Sequence, residues 1–230
     1  MALSAPATEG VVLLHGLCRT SVSMNKMEQA LVEAGYYVGN VDYPSRTSSI
    51  EQLSDDTIGR ALSDPKLQAC SRVSFVTHSL GGILVRSYFK RHDFKNLGRV
   101  VMLGPPNRGS EIVDKLGDWW LFRKVNGPCG GELGTGRDST PNMLGPVDFE
   151  LGVIAGDRSI NWINSFLIEG SDDGKVSVER SKVGGMKELR VVHVAHPFLM
   201  RNSKVIADTL RFLQHGEFEP HRRTQPPERI

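Results

Sequence analysis

Ser79 stands in Thr77-His78-Ser79-Leu80-Gly81-Gly82, a serine with small residues two places to either side. This is the G-x-S-x-G pattern with Thr77 in the first glycine position. A serine on so sharp a turn can attack a carbonyl carbon if a base removes its proton and backbone donors receive the oxyanion. Two later stretches supply an acid and a base: Gly170-Ser171-Asp172-Asp173-Gly174 and His193-Val194-Ala195-His196-Pro197. The chain order serine, acid, histidine is one of the orders that nucleophilic acyl transfer uses. His196 is read as the base because it falls just past an apolar run, whereas His193 falls within that run. Asp173, next to Gly174 in a turn, is preferred to Asp172 as the group that orients the imidazole. Asp157, also at the end of a run, is a third candidate. Each residue has a plainer reading as well: Ser79 as a helix N-cap, the aspartates as surface turns, the histidines as packing.

The oxyanion needs two fixed N–H groups. The residue after the nucleophile, Leu80, offers one. His15-Gly16-Leu17-Cys18, directly after the first apolar run, offers the other, assigned to Leu17. His15 and His78 flank these donors and are expected to face the substrate.

These residues need a scaffold that delivers four loops to one edge. Val11 to Leu14, Tyr36 to Tyr43, Val73 to Val76, Val100 to Leu103, Leu151 to Ala155 and Leu189 to Val194 read as short buried strands. Amphipathic helical runs alternate with them. Met24, Met27, Leu31 and Ala34 share a face that ends at Gly35. Ser49 and Gln52 form a capping box ahead of Ile50, Leu53, Ile58 and Leu62. Ile206, Leu210 and Leu213 form a last stripe that stops near Gly216. The alternation predicts an α/β domain over residues 1–216 with a mostly parallel sheet covered on both faces. Residues 107–147 interrupt it as a long insert carrying Trp119, Trp120, Leu121 and Phe122, read equally as core aromatics or as a substrate cover. Residues 217–230 read as a loosely attached tail.

The chain has 230 residues with a formal net charge of +2 and scattered basic residues, which gives no ground for a nucleic-acid partner. No apolar run is long enough to span a membrane. The three cysteines, Cys18, Cys70 and Cys129, are odd in number and match no metal spacing. They favour a reduced, cytoplasmic setting, as does the absence of a leader pattern at the start, although a trimmed secreted chain would read the same. Gly170 to Lys175 lacks the spacing of a phosphate loop. Gly131 to Gly136 does not bridge a strand and a helix as a nucleotide fingerprint does.

Together these motifs resemble the α/β-hydrolase superfamily, and small lipase-like esterases in particular, from Val11 to about Gly216. His15-Gly16, Thr77-x-Ser79-x-Gly81-Gly82, Asp173-Gly174-x-Val176 and His196 match that family's oxyanion, elbow, acid and base positions in chain order. The resemblance implies a minimal α/β-hydrolase fold: six strands in the order 2-1-3-4-5-6, helices on both faces and a cap-like insert. It also implies hydrolysis of a small-molecule ester or lipid through an acyl-serine, with Trp119, Trp120 and Phe122 near the acyl group, with neither cofactor nor metal, and with at most transient contact with a lipid surface. Thr77 departs from the family's usual glycine, and the chain begins at the family's third strand. Acyl transfer, thioester or amide cleavage on the same triad, and a non-catalytic binding module remain alternative outcomes.

Overall fold

The computed structural model describes residues 8–116, 120–159 and 170–219. Six strands form one all-parallel sheet: β1 (Gly10–Leu14), β2 (Tyr37–Val41), β3 (Val73–His78), β4 (Leu97–Leu103), β5 (Leu151–Gly156) and β6 (Glu188–Val192). Their order is β2-β1-β3-β4-β5-β6, as the resemblance implied.

The strands read as continuous apolar runs because both faces of the sheet are covered. Alternate side chains enter two different cores. Val12, Leu14, Phe75, Val100 and Met102 pack with Ile50, Leu53 and Ile58 of α2 (Ile50–Leu62) and Ile83 and Leu84 of α4 (Leu80–Phe89). Val11, Leu13, Val76, Val101 and Ile154 pack on the other face with Met27 and Leu31 of α1 (Asn25–Glu33). The helix Ser203–His215 completes that second core. α3 (Pro65–Gln68) is a short turn capped by Asp64.

Helix ends follow the chemistry expected of them. Ser49 accepts the N–H of Gln52, and Gly35 and Gly216 take left-handed conformations past α1 and the last helix. The strands differ from the sequence reading at their edges. β3 runs on to His78, so Thr77 and His78 are strand residues, and β6 stops at Val192. His193 therefore lies outside the strand.

The insert is helical rather than extended. It contains α5 (Glu111–Leu116), α6 (Trp120–Gly131), broken at Gly127, and α7 (Thr140–Met143). β5 follows it, then α8 (Val178–Ser181), a 3₁₀ turn (His196–Arg201) and α9 (Ser203–His215). Val205, Ile206, Phe212 and Leu213 of α9 close the second core. The start of the expected tail is not loose. Phe218 is buried, stacks near Phe212 with ring centroids 4.9 Å apart and lies under the guanidinium of Arg190. Residues 220–230 lie outside the described part. Among the described residues no helix is long and apolar enough to cross a membrane.

One buried cation ties the insert to the sheet. Arg86 of α4 donates to the Asn107 carbonyl (2.8 Å) and side chain (3.2 Å), to the Pro141 carbonyl (2.9 Å) and to the Gly145 carbonyl (2.7 Å). Burial lowers its pKa to about 10, so it remains charged at neutral pH. A methionine there fills similar space but leaves these acceptors buried without donors. Arg86→Met is expected to lower the unfolding free energy by about 3–5 kcal/mol, read from urea denaturation. A loss below about 1 kcal/mol would mean that the insert is held by something else.

Candidate active site

In a parallel sheet all strand ends of one sense meet at one edge, so the loops after β1, β3, β5 and β6 converge. Ser79 sits between β3 and α4 with φ 53° and ψ −118°, a strained conformation for a residue with a side chain. Its N–H donates to the Leu103 carbonyl of β4 (2.9 Å), and its carbonyl accepts the Gly82 N–H (3.0 Å). The first turn of α4 runs against β1: a Cβ on Gly81 would lie 2.8 Å from the Leu14 carbonyl oxygen, so only glycine fits. Thr77, in the other small-residue position, is fully buried.

The loop after β1 lies against this turn, with Gly16 facing His78 and the Ser79 Cβ. Its N–H groups are distributed: Cys18 donates to Ser45 Oγ (3.1 Å) and Arg19 to the Gly16 carbonyl (3.2 Å). The Leu17 N–H donates to no described residue, and Leu17 lines the cavity at Ser79. The Leu80 N–H belongs to the first turn of α4, where a helix leaves its donors without intrahelical acceptors.

Asp173 and His196 are brought together from the loops after β5 and β6. His196 Nδ1 lies 2.7 Å from Asp173 Oδ2, and both residues are buried. Asp173 Oδ1 accepts the N–H groups of Lys175 (3.0 Å) and Val176 (2.9 Å), and the His196 N–H donates to the Asp173 carbonyl (2.9 Å). The carboxylate is thus fixed through one oxygen and turns the other to the ring. A neutral ring in that pairing carries its proton on Nδ1 and has Nε2 free to accept one. Ser79, Asp173 and His196 line one cavity of about 570 Å³. Ser79 and the His196 ring are not hydrogen-bonded in this structure, an arrangement that often tightens only with substrate bound.

The remaining candidates separate. Asp172 Oδ1 accepts the Gly174 N–H (2.6 Å) and shapes the turn. Asp157 pairs instead with His193, Oδ1 to Nδ1 2.9 Å, on the exposed side. His15, expected to face the substrate, does not line the cavity at Ser79. It is fully buried, stacks on Tyr43 at 4.0 Å, and uses Nδ1 on the Gly16 carbonyl and Nε2 on the Tyr43 N–H. Its ring is apolar enough to sit beneath the loop, and its two nitrogens satisfy backbone groups there. The Tyr43 hydroxyl, a partner the sequence did not suggest, donates to the His15 carbonyl at 2.5 Å. His78 does line the cavity, and its Nε2 donates to the His196 carbonyl (3.1 Å).

Trp119 lies outside the described residues, as does the side chain of Phe122. Trp120 is 66% exposed, near Lys124, and is not part of the cavity wall. The insert reaches the cavity through Ile112, Val113, Val125, Asn126 and Leu133 instead. Single aliphatic residues spread over separate turns carry no compact sequence signal, unlike a run of aromatics. Among the described residues no group of three His, Cys, Asp or Glu could hold a metal ion.

A family profile described as palmitoyl protein thioesterase matches residues 10–134. No curated protein matches the chain. Among solved structures, the mature form of Bacillus licheniformis lipase BlEst2 aligns with a TM-score of 0.72 at 20% identity, covering 94% of this chain and 95% of that one. Phospholipase PlaB from Legionella pneumophila aligns at 0.62 and 23% identity over 76% of this chain, which spans only 46% of that one. A lipase-esterase related protein from Clostridium acetobutylicum aligns at 0.58 and 15% identity, covering 90% of this chain and 95% of that one. The fold is therefore that of the α/β-hydrolases.

His78 and His15 are both held neutral. Burial pushes the His78 pKa well below the usual value, helped by repulsion from His196, and burial lowers that of His15. In the unfolded chain both titrate near ~6.5. Below that pH the unfolded state takes up protons that the folded state refuses. Their contribution to stability is thus fully present above ~6.5 and is lost as pH falls from there toward the folded values. Unfolding free energy measured in urea is expected to fall between pH 7 and pH 5, by up to about 1.4 kcal/mol per pH unit for each histidine. His78→Gln should remove one histidine's share of that slope. An unchanged slope would show that His78 is charged in the folded protein.

Proposed function

Because the chain belongs to the palmitoyl protein thioesterase family, we propose that it hydrolyses acyl esters or thioesters through an acyl-serine intermediate. One observation carries the reading: a buried Asp173–His196 pair at 2.7 Å opens onto the cavity that holds Ser79 on its strained turn. Ser79 Oγ attacks the acyl carbonyl carbon, and His196 Nε2 accepts its proton. Asp173 holds the ring and stabilises the imidazolium. The N–H groups of Leu17 and Leu80 receive the oxyanion. As the intermediate collapses, His196 returns its proton to the departing alcohol or thiol. Water then adds to the acyl-Ser79 with His196 again as base, releasing the acid and restoring the serine.

The cavity supports an acyl chain as substrate. Its wall includes Leu17, Ile112, Val113, Leu133 and Val176, and its volume of about 570 Å³ lies within the range of small-ligand clefts. The fold neighbours known as a lipase and a phospholipase agree with an ester. The family favours a thioester. The scheme needs neither cofactor nor metal.

The test is hydrolysis of p-nitrophenyl esters of increasing chain length beside matched acyl thioesters, with fluorophosphonate labelling of the serine. Ser79→Ala is expected to lose at least about 10⁴-fold in kcat and to resist the label. Asp173→Asn should lose a similar factor while keeping the fold. Turnover that survives in Ser79→Ala would overturn the mechanism. Acyl products formed on added alcohols in preference to water would make the enzyme a transferase. An unlabelled wild-type protein without activity would leave a binding module.

A further inference from the structure

The loop after β1 borders two cavities. Cys18 and Arg19 line the cavity at Ser79 on one side and a second cavity of about 530 Å³ on the other. The two differ in chemistry. The insert adds Ile112, Val113, Val125 and Leu133 to the wall of the first. The second is lined mainly by polar side chains, Thr20, Asp42, Ser45, Arg46, Thr47 and Arg60, together with Tyr43 and Pro44.

Arg19 stands between them, half-buried. Burial disfavours its charge, and the like charge of Arg201 acts in the same direction. No carboxylate lies within ion-pair distance of it among the described residues. Arg46 and Arg60, further into the polar cavity, donate to the backbone carbonyls of Val125 (3.3 Å) and Asp42 (3.2 Å) rather than to carboxylates. Among the described residues, the one carboxylate on that wall, Asp42, already accepts the Ser21 N–H (2.9 Å) and lies 3.5 Å from the buried His15 ring. At the Ser79 cavity itself, Lys175 adds another cation, while Asp173 is committed to His196. A guanidinium costs free energy to desolvate even partly, and that cost is ordinarily offset by an anion. Here the described residues supply none.

We propose that Arg19 binds an anionic group on the leaving-group side of the substrate: a phosphate or carboxylate carried by the alcohol or thiol that is released. The acyl chain occupies the aliphatic cavity, and the anion sits across Arg19 toward the polar one. This proposal rests on the acyl-hydrolase reading for the identity of the reacting bond. It names a specificity residue rather than a catalytic one.

The test uses p-nitrophenyl hexanoate and its ring-carboxylated analogue, with kcat/KM corrected for the alkaline reactivity of each. Wild type is expected to prefer the carboxylated ester by about tenfold, mainly through KM, and to lose that preference as salt rises. Arg19→Met should abolish the preference, and Arg19→Lys should keep part of it. A monoester with its carboxylate on the acyl chain should show no such dependence. The same preference in wild type and Arg19→Met would overturn the proposal. Decyl phosphate, compared with decyl glucoside by calorimetry on Ser79→Ala protein, reads the site without turnover. Arg19→Met should weaken the phosphate by about tenfold relative to the glucoside. If no ester is cleaved yet this binding depends on Arg19, the hydrolase reading fails and the anion site stands. If esters are cleaved and the binding ignores Arg19, the reverse holds. Lysophosphatidic acid and an acyl-coenzyme A then separate a lipid source of the phosphate from a soluble one, since a loss in Arg19→Met on either supports the site.

Discussion

The backbone of Ser79 is the constraint on which the rest depends. Its conformation costs on the order of 1–3 kcal/mol and persists only if neighbours leave no alternative. They do so from both sides. β4 takes the Ser79 N–H through Leu103, and β1 approaches the first turn of α4 so closely at Leu14 that Gly81 can carry no side chain. Both contacts follow from the sheet order, in which β3 lies between β1 and β4 with Leu14 beside Thr77 and Leu103 beside His78. The same order carries the loop after β1 against Ser79, on the side of the proposed oxyanion site.

The histidines divide the remaining labour by protonation. His15 and His78 are buried and neutral, and each nitrogen that they use serves the backbone of a loop at the site. His78 holds the carbonyl of His196 and so acts on the proposed base through its main chain. A leucine in either place would fill the volume but leave carbonyls without donors. His196 alone is presented to a carboxylate and to the cavity.

Much of this was legible in the sequence, because the elbow, the strand periodicity and the order of acid and base are local signals. The choice of Asp173 over Asp172 agrees with the turn chemistry of Gly174, and Asp173 is the aspartate that meets His196. What escaped were long-range pairings. Nothing near His15 predicts that Tyr43, 28 residues on, will hold its ring and carbonyl. Nothing near Arg86 announces carbonyls from 107 to 145. The aromatic run at 119–122 reads equally as core or as a substrate cover, yet Trp120 points to solvent, and the aliphatic part of the described wall comes from scattered residues. Phe218 was hidden in a tail of polar composition, where a single apolar residue does not register as a pattern.

The division between sheet and insert has a consequence for specificity. The residues proposed for bond breaking sit on strand ends, fixed by the sheet and by main-chain hydrogen bonds. The aliphatic wall comes from α5, α6 and the turn at Leu133, joined to the sheet through Arg86 and its backbone acceptors. Directional bonds to carbonyls hold that cover in place without prescribing its inward side chains. Ile112, Val113 and Leu133 can therefore change size without moving Ser79, whereas any change at Gly81 meets the backbone of β1. On the proposed mechanism, acyl preference and acyl chemistry are carried by different parts of one chain. The loop at Cys18 and Arg19 is where they meet, because it bounds the proposed oxyanion site and opens onto the polar cavity beyond.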